Sequence, residues 1–87
     1  MKNITNTDGV SIEAYRTECR LKVGRSIREI REKRGLSQEQ LAEKMHINRS
    51  TISKIESGKF NCSIDYLSKF ASFLDFEIIL HDSQRNL

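Results

Sequence analysis

SQEQLAEKMHINRSTISKIESGK, residues 37–59, parses as two short helices joined by a tight turn. Ser37 can cap the first helix while Gln40, three residues on, reaches back to close an S-x-x-Q capping box. Leu36 before the cap and Leu41 after it are spaced as a hydrophobic staple. Asn48 is a good N-cap residue for the second helix, and Ile47 and Ile52 repeat the staple. Gly58 supplies a left-handed stop. Apolar side chains fall at Leu41, Met45, Ile47, Ile52 and Ile55, with small Ala42 beside Leu41. That spacing gives each helix one inward stripe and turns the start of the second helix outward.

Two helices so arranged are the pattern of a DNA-reading helix-turn-helix, and the chain resembles the Cro/repressor (XRE-type) family from about Val23 to Leu74. The motifs that carry the resemblance are L-S-Q-E-Q-L-A, S-T-I-S-K-I-E with G-K after it, and S-I-D-Y-L-S-K-F-A in the next helix. The resemblance implies a mostly α, lambda-repressor-like domain of four or five helices. Two departures stand out. His46 occupies the turn where the family usually has Gly, so a left-handed His and a slightly strained turn are expected. Cys62 stands where the family often has Pro.

The second helix divides by face. Ile52 and Ile55 point inward; Arg49 and Ser50, then Ser53 and Lys54 one turn later, point outward. N-terminal residues of the second helix enter the major groove in this motif. By resemblance, Arg49, Ser50 and Lys54 match the base-reading positions, with Asn48 and Ser53 beside them. Arg and Lys suit guanine O6 and N7, whereas Ser discriminates poorly. Phosphate contacts are expected from Gln38, at a helix N-terminus whose N–H groups favour an anion, and from Thr51, Lys59 and Asn61. Glu56 lies in the last turn, where its charge opposes the helix dipole and calls for a cation. The resemblance supplies Arg31 as its structural partner; two exposed, unpaired charges would be the plainer arrangement.

Eighty-seven residues suit one small domain, whose modest core would gain from dimerisation. A net charge of +3 and pI near 9.1 permit an anionic partner without requiring one. Cys19 and Cys62 have no metal-ligand spacing, and each reads as a small buried hydrophobe. No metal, cofactor, signal peptide or membrane span is expected, and a reducing cytoplasm is the natural setting.

Residues 1–10 lack periodicity and read as a mobile tail; an arm touching the minor groove would have only Lys2 as a cation. Ser11 can cap a helix starting at Ile12. Ile12, Tyr15, Cys19, Val23, Ile27 and Ile30 then recur at helical spacing up to Arg34, where Gly35 ends the run. Gly24 either sits inside this helix, at a propensity cost of about 1 kcal/mol, or breaks it in two. The face bearing Arg16, Arg20, Lys22, Arg25, Arg28, Lys33 and Arg34 against Glu13, Glu18, Glu29 and Glu32 reads as solvated, with pairs such as Glu29–Lys33.

Ser63 caps the next helix, Cys62 and Leu67 form a third staple, and Leu67, Phe70, Ala71 and Leu74 face inward. With Asp75 the pattern breaks. Residues 76–82 then favour a short C-terminal β-strand, although Phe70, Leu74 and Ile78 would also suit a continued helix. Residues 83–87 should fray. A lone strand invites the same strand of a second copy, so dimerisation is expected through Phe76, Ile78, Ile79 and Leu80, with Phe76, Ile78 and Leu80 packing on the helices.

The function expected for residues 11–75 is sequence-specific DNA binding by a transcriptional regulator, a repressor acting as a homodimer on an inverted repeat. The terminal strand also resembles HipB-like antitoxins, which neutralise a protein toxin and autoregulate; a toxin-like neighbouring gene would separate the two readings. An enzyme is not expected, since no nucleophile–base pair, metal motif or phosphate loop is present.

Overall fold

A computed structural model describes residues 11–82. The readings of residues 1–10 as a tail and of 83–87 as frayed lie outside that range. Among the described residues four helices form: α1 Ile12–Lys33, α2 Gln38–Met45, α3 Arg49–Glu56 and α4 Ile64–Leu74. α1 packs on α3, α2 on α3, and α4 closes the core against α1 and α2.

Each start and each stop has a local chemical cause. Ser11, Ser37 and Ser63 accept hydrogen bonds from the N–H groups of Ala14, Gln40 and Tyr66. Gln40 Oε1 accepts in return from the Ser37 N–H at 2.8 Å, completing the capping box. All four helices end on a left-handed residue: Gly35, His46, Gly58 and Asp75, with φ between 57° and 78°. The residue after each donates back across the last turn, Leu36 to Arg31, Ile47 to Ala42, Lys59 to Lys54 and Phe76 to Ala71. This six-to-one closure satisfies carbonyls the helix leaves open. Leu36, Ile47 and Phe76 also fold back onto the core, so a backbone stop and a hydrophobic contact coincide.

The core consists of Ile27, Leu41, Ala42, Met45, Ile52, Ile55, Phe70 and Leu74. Burying each large aliphatic or aromatic side chain contributes about 1.5–3 kcal/mol. Arg34 ties the end of α1 to the end of α4, donating to the Leu74 carbonyl at 2.8 Å and the Asp75 carbonyl at 2.9 Å.

The alternative left open at Gly24 is decided, and several expectations are corrected. α1 runs unbroken through Gly24, because the glycine lies at a helix crossing and not at a bend. The first half of α1 outruns the helices that could cover its stripe. Tyr15 is therefore 54% exposed and Cys19 is exposed as well, so only Cys62, whose thiol burial pushes up, behaves as a partly buried hydrophobe. Among the described residues the surface pairs Glu13–Arg16 and Arg28–Glu32 form, in place of the expected Glu29–Lys33. Such exposed pairs contribute at most about 1 kcal/mol.

Beyond α4, Phe76 packs on the core, but no strand forms among the described residues and 76–82 has no regular structure. Asp75 in the left-handed region also stops the helix from continuing. A β-ladder needs a partner strand, and a single copy of this chain offers none among these residues. Without a ladder the alternation of side chains is lost. Leu80, expected to pack with Phe76, is 97% exposed.

Candidate nucleic-acid interface

The turn between α2 and α3 fixes the aim of α3. His46 adopts φ 57°, ψ 46°, a conformation that costs a non-glycine residue roughly 1 kcal/mol. Ile47 recovers part of that cost by packing on the core. α3 then starts at Asn48, whose backbone is in the N-cap conformation but whose side chain makes no capping hydrogen bond.

Ile52 and Ile55 are fully buried, as the stripe requires. Asn48, Arg49, Ser50 and Lys54 are exposed, and Ser53 and Thr51 are half-buried beside them. Lys59 and Asn61 are exposed just past the helix, on the loop that Gly58 turns. Gln38 is half-buried at the head of α2. Exposed polar and cationic side chains therefore form a rim that runs from the head of α3 past its C-terminal end.

Beneath this rim lies a buried ion pair. Arg31 Nε donates to Glu56 Oε2 at 2.7 Å and Arg31 Nη2 to Glu56 Oε1 at 3.1 Å, a two-pronged contact between residues only 7% and 9% exposed. Arg31 Nη1 also donates to the Leu36 carbonyl at 2.6 Å. The hydrogen bonds to Glu56 raise the pKa of Arg31 above its ordinary value, outweighing burial, which would lower it; the charges of Glu56 and Glu32 add to the rise. The pair pins the C-terminal end of α3 to α1, and the guanidinium offsets a carboxylate at the negative end of a helix.

Three contacts at this interface carry no signal in the sequence pattern. Gln38 Nε2 donates to Glu56 Oε1 at 2.9 Å, and Gln38 Oε1 accepts from Arg49 Nη1 at 3.0 Å. Arg20 Nε donates to the Gly58 carbonyl at 3.2 Å, tying α1 to the end of α3 from a second point. Each depends on how helices cross, which helical spacing alone does not reveal.

Among the described residues no group of three or more His, Cys, Asp or Glu could hold a metal ion. No helix in that range is long and apolar enough to cross a membrane.

A protein-family model described as helix-turn-helix matches residues 27–79. The immunity repressor protein of Bacillus phage phi105 is 39% identical over 56 residues, covering 64% of this chain and 39% of that protein. An uncharacterized HTH-type transcriptional regulator of Archaeoglobus fulgidus is 42% identical over 52 residues, 60% of this chain and 74% of that one. The crystal structure of the restriction-modification controller protein C.AhdI from Aeromonas hydrophila superposes with a TM-score of 0.65 at 38% identity, covering 69% of this chain and 91% of that chain. The chain thus spans well under half the length of the phage repressor and most of the controller protein.

Proposed function

We propose that this chain, which belongs to the helix-turn-helix family, is a DNA-binding transcriptional regulator that reads its operator through the exposed face of α3. The observation that carries the reading is the arrangement of α3 itself. Its inner face is sealed into the core and its end is held by Arg31–Glu56. Its first turns hold Asn48, Arg49 and Ser50, with Lys54 beyond, outside that core. Relatives named as a repressor, a transcriptional regulator and a controller protein point the same way.

In this reading Arg49 and Lys54 are the principal base-reading residues, suited to guanine O6 and N7. Ser50, Ser53 and Asn48 contact the same groove. The backbone N–H groups at the head of α2, starting at Gln38, together with Thr51, Lys59 and Asn61, grip phosphates on either side and set the register without reading sequence. Selection from random duplex DNA should enrich an inverted repeat. Lys59→Ala should weaken binding to every duplex alike and reduce the slope of log affinity against log salt by about one. Enrichment of no common site, or a Lys59→Ala effect confined to one sequence, would count against this division of labour.

The regulator acts as a repressor and as a homodimer in the same proposal. Ile79 is 73% exposed, and with Ile78 and Leu80 it forms an apolar run whose backbone has no ladder partner among the described residues of the single chain. The same run from a second copy would pair with it antiparallel about a two-fold axis. The two reading helices would then need to lie about 34–36 Å apart, one turn of DNA. Deleting residues 78–87 keeps Phe76 on the core, so the shortened protein should stay helical while becoming monomeric and losing most of its operator affinity. A shortened protein that still sediments as a dimer would overturn the proposed dimer. The antitoxin alternative is not favoured, since the relatives are named as a repressor, a transcriptional regulator and a controller protein.

A further inference from the structure

The chain has two cysteines, and the fold brings both to one groove. The groove, about 770 Å³ in volume, runs between α1 and the segment that joins α3 to α4. Cys19 and Val23 line it from α1; Phe60, Cys62 and Leu67 line it from the other side, with the buried Ile55 between. Both thiols are free, Cys19 exposed and Cys62 half-buried. An exposed cysteine contributes little packing, so what Cys19 brings to the groove is reactivity. The joining segment also carries Lys59 and Asn61, two of the residues assigned above to phosphates, and Asn61 is bonded directly to Cys62. Residues 60–63 hold no helix and can shift without breaking a helical ladder. α1 already meets the head of this segment, where Arg20, next to Cys19, donates to the Gly58 carbonyl at 3.2 Å.

We propose that Cys19 and Cys62 form an oxidant-sensitive thiol pair: a hydroperoxide converts them into a disulfide across the groove, and that bond weakens DNA binding by drawing Asn61 and Lys59 away from the phosphates. The inference rests on the reading of α3 and its flanks as the DNA interface. Cys19, the exposed thiol, meets the oxidant first. Its sulfur attacks the peroxide, the O–O bond breaks, and a sulfenic acid and one water result. The Cys62 sulfur then attacks the Cys19 sulfur; the S–O bond breaks and the departing hydroxide takes the Cys62 proton as a second water. Two thiols are oxidised and one peroxide is reduced. Burial pushes the Cys62 thiol up, which keeps it protonated and suits it to the second step more than the first. A disulfide holds its two Cα atoms about 4.4–6.8 Å apart, so bonding across the groove pulls residues 60–62 toward α1. Phosphate contacts set affinity and not sequence, so their loss weakens binding to all duplexes alike.

The test treats the dilute, reduced protein with equimolar hydrogen peroxide and follows free thiols, intact mass and DNA affinity together. Both thiols should disappear, with the chain staying single and losing only two hydrogens in mass. The oxidised protein should bind the selected duplex about 5- to 150-fold more weakly, the usual span of coupling between two sites, with its preference among base pairs kept. Dithiothreitol should restore affinity by thiol–disulfide exchange. Cys19→Ser, a change at an exposed position, should bind as the reduced parent does and keep that affinity after peroxide. Chains joined to one another, thiols that stay free, or oxygen added without an internal bond would each overturn the proposal. So would an internal disulfide that leaves DNA affinity unchanged, or a Cys19→Ser protein that loses affinity to peroxide as the parent does. A reduced protein that selects no duplex would overturn the reading of α3, and the loss of DNA binding on oxidation with it, while the mass would still report whether the bond forms.

Discussion

Arg31→Ala or Glu56→Ala should each cost about 3–5 kcal/mol of folding stability, because either one leaves a charge buried without its partner. That is a large share of the roughly 5–15 kcal/mol that holds a small domain folded. Arg31→Ala should be the worse of the two, since it also strips the Leu36 carbonyl of the 2.6 Å hydrogen bond from Nη1. The double replacement removes both charges together, so its loss should fall short of the sum by a coupling of up to about 3 kcal/mol. Urea melts of the four proteins measure this directly. Additive losses would mean that the pair is not a unit. Replacing both residues by methionine should recover much of the stability, because apolar side chains of similar volume can match a buried pair.

Gly24→Ala is the second large effect, and its sign opposes simple propensity. In a helix interior, alanine in place of glycine should stabilise by up to about 1 kcal/mol. Here an added Cβ would stand 2.7 Å from the Glu56 carbonyl oxygen, 2.9 Å from its carbon, and closer still to the Ile55 carbonyl oxygen. These are backbone atoms and cannot rotate aside. α1 and α3 would have to separate at their crossing, straining the Arg31–Glu56 contact about two turns further along the same face of α1. Overpacking of this kind costs about 1–3 kcal/mol, and sometimes more, so steric repulsion outweighs propensity. Gly24→Val should be worse than Gly24→Ala, whereas Ser26→Ala at an exposed position of the same helix should be nearly neutral. A Gly24→Ala protein with a raised melting temperature would show that the two helices do not approach closely there.

Much of this architecture was legible because it depends on neighbours in sequence. Three capping serines, the stops at Gly35 and Gly58, and the left-handed His46 are all local chemistry, and the structure places each where the spacing puts it. What depends on crossings was not. Gly24 reads as a possible break because glycine is the same letter at a bend and at a close approach. The stripe through Tyr15 and Cys19 has helical period, but period does not say how far the covering helices extend. Asp75 takes a conformation that aspartate tolerates without advertising it. The run from Gln38 to Arg49 joins the heads of two helices, so it arises only once the turn at His46 has set their angle. Residues 76–82 have the composition of a strand, yet composition supplies no partner.

The proposed base-reading face of α3 is tested most directly by measuring the affinity of Arg49→Ala for the selected duplex and for duplexes altered at single base pairs. Arg49→Ala should lose about 1–3 kcal/mol on the selected site, and its preference should flatten at one base pair in each half-site while the other positions keep theirs. Unchanged affinity and unchanged preference at every position would contradict the assignment of that face.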